Sequence, residues 1–252
     1  MNGEYLEMQG LCRSFDGIKA LDGFSCSVAK NEIVGLIGPN GAGKTTLFNV
    51  LTGFIAADDG MAAFRGLNLL HKSPHTIAGA GIARTFQNLR LIRRMTVLEN
   101  VLLCCKDQPG EKLGNVFFRW RTSARKEAEN RATAQSLLEE VGLSEKATDL
   151  ADNLSYGQQK LLSLACCLAS GAELLLLDEP VAGIAPEMIE HMLSIIQGLT
   201  TQGRTVVLIE HNLDAVSKVC SRIIFMDSGT KVCEGTPQEV RSDPRVIEAY
   251  ID

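Results

Sequence analysis

Eight consecutive residues constrain this chain more than any others. Gly38-Pro39-Asn40-Gly41-Ala42-Gly43-Lys44-Thr45 fit the pattern G-x-x-x-x-G-K-[ST]. The short apolar run Glu32-Ile33-Val34-Gly35-Leu36-Ile37 precedes them and reads as a strand, and a helix is expected from about Lys44. The glycines let backbone N–H groups turn inward around a phosphate chain. The N-terminus of the following helix adds partial positive charge. Lys44 is placed to reach the β- and γ-phosphates, and the Thr45 hydroxyl to ligate Mg²⁺, with Thr46 next in the helix. Strand, loop and helix in that order are the building unit of α/β folds.

The rest of the chain carries the alternation on. Residues 4–28 read as two antiparallel strands around a turn at Asp16-Gly17. Gly81–Phe86, Leu174–Leu177, Thr205–Ile209 and Arg222–Met226 read as further strands. The last three are continuously apolar, as buried parallel strands are. Helices are expected over about 157–169 and 186–199. Residues 97–141 read as mostly helical around an irregular stretch at 107–122, and the charge-rich helix 123–140 interrupts the α/β alternation. The expected organisation is one unit over 1–252. Its α/β core, a mostly parallel sheet with an antiparallel β part, is built from 1–87 and 158–252, with an α-helical insertion at 88–157.

Composition excludes several classes. The chain has 252 residues, 45% of them hydrophobic and 22% charged, a globular balance. Its net charge of −5 and 5% aromatics argue against a partner held by nucleic-acid phosphates or stacked bases. Cysteines stand at 12, 26, 104, 105, 166, 167, 220 and 233, mostly in apolar runs and without a C-x-x-C pair. That pattern suits buried free thiols in a reducing compartment and fits neither a disulfide frame nor a zinc site. The N-terminus lacks the basic and apolar regions of a signal peptide. The longest apolar stretch, 161–177, is broken by Ser163, Ser170, Gly171 and Glu173, too short to span a bilayer. The expected location is cytoplasmic, with docking on a membrane protein still open.

Leu174–Leu177 ends in Asp178-Glu179, two acids at the C-terminal end of a strand, where α/β sheets bind ligands. Asp178 is the candidate for holding Mg²⁺ and Glu179 for orienting or deprotonating an attacking water. Taken alone, the pair reads equally well as a strand running into an acidic turn. Leu154-Ser155-Tyr156-Gly157-Gln158 stands with Ser155 23 residues before Asp178, and His211 follows Glu179 by 32 residues.

With Gln87 in Thr85-Phe86-Gln87 and with Phe15, these motifs resemble, over essentially all 252 residues, the nucleotide-binding cassette of an ABC transporter. The resemblance implies ATP and Mg²⁺ as cofactors. Phe15 would stack on adenine, and Gly38, Pro39, Asn40, Gly41, Ala42, Gly43, Lys44, Thr45 and Thr46 would wrap the phosphates. Thr45, Gln87 and Asp178 would hold Mg²⁺. Glu179, His211 and Gln87 would serve hydrolysis. Ser155, Gly157 and Gln158 would meet the ATP of an opposite subunit, so that hydrolysis needs a dimer. Ser155 and Gly157 precede a helix, which suits an anion on chemical grounds as well. His71, His75 and His191 are expected to be solvated. Two positions depart from the family pattern: Tyr156 stands for the usual first glycine of the signature, and Ala185 for the Asp or Asn of the loop that follows Glu179.

The run 84–91, the segment Met95-Thr96-Val97-Leu98-Glu99-Asn100, the signature tyrosine, the insertion near 107–122 and the ending 243–250 are similar to the first ATPase subunit of branched-chain amino acid importers. Urea and short-amide importers share several of these features. The resemblance implies a second ABC ATPase subunit, identical or merely homologous, two transmembrane permeases, a periplasmic solute-binding protein, and a place on the cytoplasmic face of the membrane. Arg90, Arg93 and Arg94 fall in the family's permease-docking region, where a solvated helix start is an equal alternative, and Phe117-Phe118-Arg119-Trp120-Arg121 competes between contact with a permease or lipid headgroups, nucleic-acid contact, and local packing with solvated arginines. A soluble ABC ATPase working on DNA or ribosomes is the rival, and the acidic charge speaks against it.

Overall fold

The computed structural model describes residues 5–106 and 120–251. The stretch Phe117–Arg119 lies outside them.

Two sheets form. β1 (Leu6–Phe15) and β2 (Ile18–Val28) pair antiparallel through the turn at Asp16-Gly17, and β1 also pairs with β4 (Asp59–Phe64), which carries the short β5 (Leu67–Asn68). The second sheet runs in the order β10-β9-β3-β8-β7-β6. Its members are β3 (Ile33–Ile37), β6 (Ile82–Arg84), β7 (Leu174–Asp178), β8 (Thr205–Ile209), β9 (Arg222–Asp227) and β10 (Thr230–Gly235). All pair parallel except β10, which turns back antiparallel onto β9.

β3, β7 and β8 are buried along their whole length, as their unbroken apolar sequences require. Side chains alternate across a strand, so each strand serves two layers. Val34, Leu36, Leu174, Leu176, Val207 and Ile209 pack with the antiparallel sheet and helix α1 (Lys44–Leu51). Ile33, Ile37, Leu175, Leu177, Val206 and Leu208 pack on the other face with the remaining long helices. These are α3 (Val97–Cys104), α4 (Trp120–Glu140), α5 (Tyr156–Ala169), α6 (Pro186–Thr201) and α7 (Leu213–Val219). α2 (Pro74–Gly79), α8 (Pro237–Ser242) and α9 (Pro244–Ile251) complete the order.

Local chemistry sets the helix starts. Thr96 caps α3 in a capping box with Glu99, and Ser155 caps α5 in another with Gln158. Buried Asn100 on α3 accepts from the Ile92 N–H at 2.8 Å and donates to the carbonyls of Ile92 and Thr96, at 3.1 and 2.9 Å. It thereby fixes the segment running from Gln87 into α3.

Two expectations need correction. His191 is half-buried, with Nε2 3.3 Å from the carbonyl oxygen of Val141, because α6 carries it against the end of α4. Of the eight thiols only Cys105, Cys167 and Cys220 are buried, and the other five are partly exposed.

Candidate active site

The loop 38–45 wraps an opening that only glycine permits at two points. Gly38 has φ +150°, and a Cβ there would stand 1.9 Å from the Met226 carbonyl oxygen. Gly43 has φ +102°, and its Cβ would stand 2.2 Å from the Ala20 oxygen. Such contacts mean that any other residue would push the loop off β2 and β9. Lys44 is buried, and its Nζ donates to the carbonyls of Gly38 and Pro39 at 2.7 and 2.9 Å. Burial lowers its pKa, against the opposing pull of the Glu179 and Asp178 carboxylates. The ammonium is therefore held inside the loop, and a phosphate would offer it a stronger, charged acceptor than a carbonyl.

A cleft of about 220 Å³ opens on this loop. Asn40, Gly41, Ala42, Gly43, Lys44, Thr45 and Thr46 line it on one side, with Gln87, Glu179 and His211 on the other. One carboxylate organises the second wall. Glu179 Oε1 lies 2.8 Å from His211 Nε2, and Oε2 accepts from Gln87 Nε2 at 3.1 Å. Three residues far apart in sequence thus meet on one group. Glu179 sits at φ +50°, unusual for a side chain with a Cβ, just where β7 leaves the sheet. A carboxylate fixed by two partners and 17% exposed can orient a water and take its proton.

Asp178, one residue earlier, is in a different environment. It points into the fold and pairs with Arg84 at 2.7 Å, the two side chains being 2% and 4% exposed. Its N–H donates to Thr85 Oγ1 at 2.9 Å. Arg84 also donates to Asn49 at 2.6 Å and lies over the rings of Phe48 and Phe86. Nothing in the spacing of motifs assigns Arg84 this role; its only sequence signal is an arginine inside an otherwise apolar strand. Glu210 is a second unforeseen group. It is 2% exposed, accepts from the N–H groups of Val181 and His211 at 2.8 and 3.3 Å, and is pushed up to about 7 by burial. Lys160, buried on α5, is a third.

The remaining expected positions lie elsewhere on the chain. Ser155 is exposed at the start of α5, and Gln158 is held in its capping box. Gly157 is buried where a Cβ would stand 3.1 Å from Met188 Cγ and 3.6 Å from Ile184 Cβ. Neither these residues nor Phe15 line the Lys44 cleft. Phe15 ends β1, exposed, with the Arg13 guanidinium 4.7 Å from its ring centre. Ala185 occupies the cap position of α6 and supplies no side-chain hydrogen bond. For a hard dication, the Thr45 hydroxyl and the Gln87 amide oxygen in the cleft are fitting oxygen donors, and the Asp178 carboxylate is of the right type but is paired with Arg84 and does not line the cleft.

A separate, apolar groove of about 540 Å³ runs beside the Gln87 segment. Phe54, Phe86, Arg90, Ile92, Leu103 and Cys104 are among its walls. Phe54, Ile92 and Leu103 are about half exposed, and the Arg90 guanidinium stacks 3.7 Å from the Phe86 ring centre. Arg93 and Arg94 are solvent-exposed, Arg93 lying 3.7 Å from Asp152.

Comparison with known proteins agrees with this geometry. The family described as ABC transporter matches residues 21–182, and one described as branched-chain amino acid ATP-binding cassette transporter matches residues 230–251. The chain is 37% identical over 252 residues to the high-affinity branched-chain amino acid transport ATP-binding protein BraF of Pseudomonas aeruginosa, covering 100% of this chain and 99% of that protein. It is 39% identical to LivG of Salmonella typhimurium, which carries the same description, over the same shares. Among solved structures, a nucleotide-free ATP-binding cassette from an ABC transporter superposes with TM-score 0.86 at 36% identity, covering 99% of this chain and 100% of that one. The ADP conformation of an ATP-binding cassette of an ABC transporter gives TM-score 0.85, also at 36% identity, over 99% of both chains.

Proposed function

This chain belongs to the ABC transporter family, among the branched-chain amino acid transport ATP-binding proteins, and from that premise we propose that it hydrolyses ATP to energise import of branched-chain amino acids through permease subunits. The observation that carries the reading is the Glu179 carboxylate, held between His211 and Gln87 across the cleft from Lys44.

In this reading the backbone N–H groups of 38–45 and the Lys44 ammonium bind the phosphates, and Phe15 stacks on the base. Thr45 and Gln87 would hold Mg²⁺, with Asp178 reaching it directly or through water, and the ion would screen phosphate charge when bound. Glu179 aligns a water in line with the γ-phosphorus and takes its proton as the new P–O bond forms. The bond to the ADP oxygen breaks, and His211 and Gln87 keep the carboxylate aimed. Ser155, Gly157 and Gln158 do not line this cleft, which supports a site completed by the signature of a second cassette. Residues 88–157 then act as the helical unit that closes with that signature.

The apolar groove next to Gln87 is the permease contact in this reading. It sits on the segment that Asn100 fixes and exposes Phe54, Ile92 and Leu103. Peripheral attachment at the cytoplasmic face belongs to this reading; among the described residues no helix is long and apolar enough to cross a membrane. A periplasmic binding protein would deliver the solute from the other side.

The test is uptake of labelled leucine into vesicles holding the assembled transporter, together with phosphate release. Glu179→Gln should abolish both while ATP still binds. Full hydrolysis in that variant removes Glu179 from the chemistry. ATP-driven turnover without leucine uptake redirects the reading to another solute.

A further inference from the structure

Lys160 lies in the second turn of α5, the helix that Ser155 caps, and only 7% of it is exposed. A buried ammonium is costly unless its donors are used, and two of them are. Nζ donates to the carbonyl oxygens of Glu179 and Ala182, each at 2.6 Å. These two carbonyls bracket one tight turn, in which the Ala182 N–H reaches back to the Glu179 oxygen at 3.3 Å. From the other side Glu210 accepts the Val181 N–H at 2.8 Å. The turn is thus gripped at 179, 181 and 182. A residue with a Cβ at φ +50°, as at Glu179, persists only where its surroundings hold it there.

The same lysine joins two bodies. The Tyr156 ring lies 5.2 Å from its ammonium and covers Gly183, whose Cβ would stand 3.4 Å from the ring. Gly157 lets the start of α5 press on Ile184 and Met188. The signature end of α5 and the segment 179–188 therefore pack without slack.

We propose that Lys160 is a positioning residue for hydrolysis: it ties the helix carrying Ser155 and Gly157 to the backbone that aims Glu179, so that engagement of this signature by the opposite cassette's nucleotide is relayed within the chain to its own glutamate. The inference rests on the ATPase reading above. It also gives the two sites a route that does not pass through a polar side chain at position 185, where this chain has alanine.

The experiment uses the full chain in its assembled transporter and reads kcat and KM for ATP separately. Lys160→Met should lower kcat by about tenfold or more and leave KM within about twofold, since the loss falls on the transition state and not on nucleotide binding. Lys160→Arg, whose guanidinium can span both carbonyls, should recover most of the rate. Ser155→Ala and Lys160→Met should lose less together than the product of their separate losses, because they act along one route. Wild-type kcat in Lys160→Met, a loss confined to KM, or independent multiplication of the two losses overturns the proposal. Should Lys160→Met not fold, equal kcat in Lys160→Gln and Lys160→Arg overturns it instead. Glu179→Gln is the separate control: if it hydrolyses like wild type, the ATPase role of Glu179 fails and not the relay alone.

Discussion

Glu210→Gln should change how stability depends on pH, and the size follows from the burial of one carboxyl. Glu210 is 2% exposed, and burial raises its pKa from 4.5 to about 7 despite two backbone donors and nearby Lys160. Glu179 adds to the rise, and the Cys220 thiol lies within the same field. Between about pH 4.5 and 7 the unfolded chain has released this proton and the folded chain still holds it. Stability therefore falls as pH rises through that window and levels off above it. At about 1.4 kcal/mol for each pH unit separating the two values, the cost at pH 8 is about 3 kcal/mol. Glutamine keeps an oxygen for the Val181 N–H and carries no proton to lose. Urea unfolding of both proteins at pH 5, 6, 7 and 8, with equal m-values, isolates this group, since titrations not coupled to Glu210 cancel in the difference. The variant should gain about 2.5 kcal/mol on wild type between pH 5 and pH 8, the unfolded chain having already released most of this proton at pH 5. A difference that stays flat to within about 0.5 kcal/mol would refute the argument that Glu210 is held neutral by burial.

Arg84→Met should destabilise the fold by about 3–5 kcal/mol, because it leaves the Asp178 carboxylate buried without its partner; adding Asp178→Asn should return much of that loss in chemical denaturation. Lys44→Ala should weaken ATP binding in a titration while leaving the fold intact, because its partners are loop carbonyls that water can replace. Ala185→Asp should raise stability by about 1 kcal/mol, measured by thermal unfolding, since α6 begins without a side-chain cap at a residue already in the extended conformation that a capping acid needs.

What the sequence discloses is what is local. The loop 38–45 is legible because strand, glycines, lysine and helix are contiguous. Gln87, Glu179 and His211 are legible only as members of an ordered set of motifs, and the fold brings them onto one carboxylate. The parallel strands β7 and β8 can be read from their unbroken apolar runs. β4 cannot, because Asp59-Gly60-Met61-Ala62-Ala63-Phe64 has little strand preference of its own and is a strand by pairing with β1. Arg84, Lys160 and Glu210 are silent for the same reason. Arg84 finds Asp178 across 94 residues, Glu210 finds Val181 across 29, and Lys160 finds two carbonyls that no side-chain pattern reveals. Misplacing His191 as solvated has the parallel cause that its partner is a backbone oxygen 50 residues away.

The adjacency of Asp178 and Glu179 shows why neighbouring acids need not share a task. Strand alternation commits the first of them to the interior, where β6 supplies Arg84 and the charge is balanced before any ligand arrives. The second escapes that alternation because the chain leaves the sheet at φ +50°, which swings the next side chain out of line and into the cleft. Had the backbone stayed extended, alternation would have set Glu179 on the face opposite Asp178, among the apolar side chains that cover the sheet. The left-handed turn is thus what brings a second carboxylate into the cleft one residue after one that Arg84 already pairs. Environment, not residue type, separates the two roles. The grip on that turn by Lys160 and Glu210 then belongs to the chemistry as much as the glutamate does, because it adds to the turn's own Ala182-to-Glu179 bond the side-chain contacts that fix its carbonyls and the Val181 N–H.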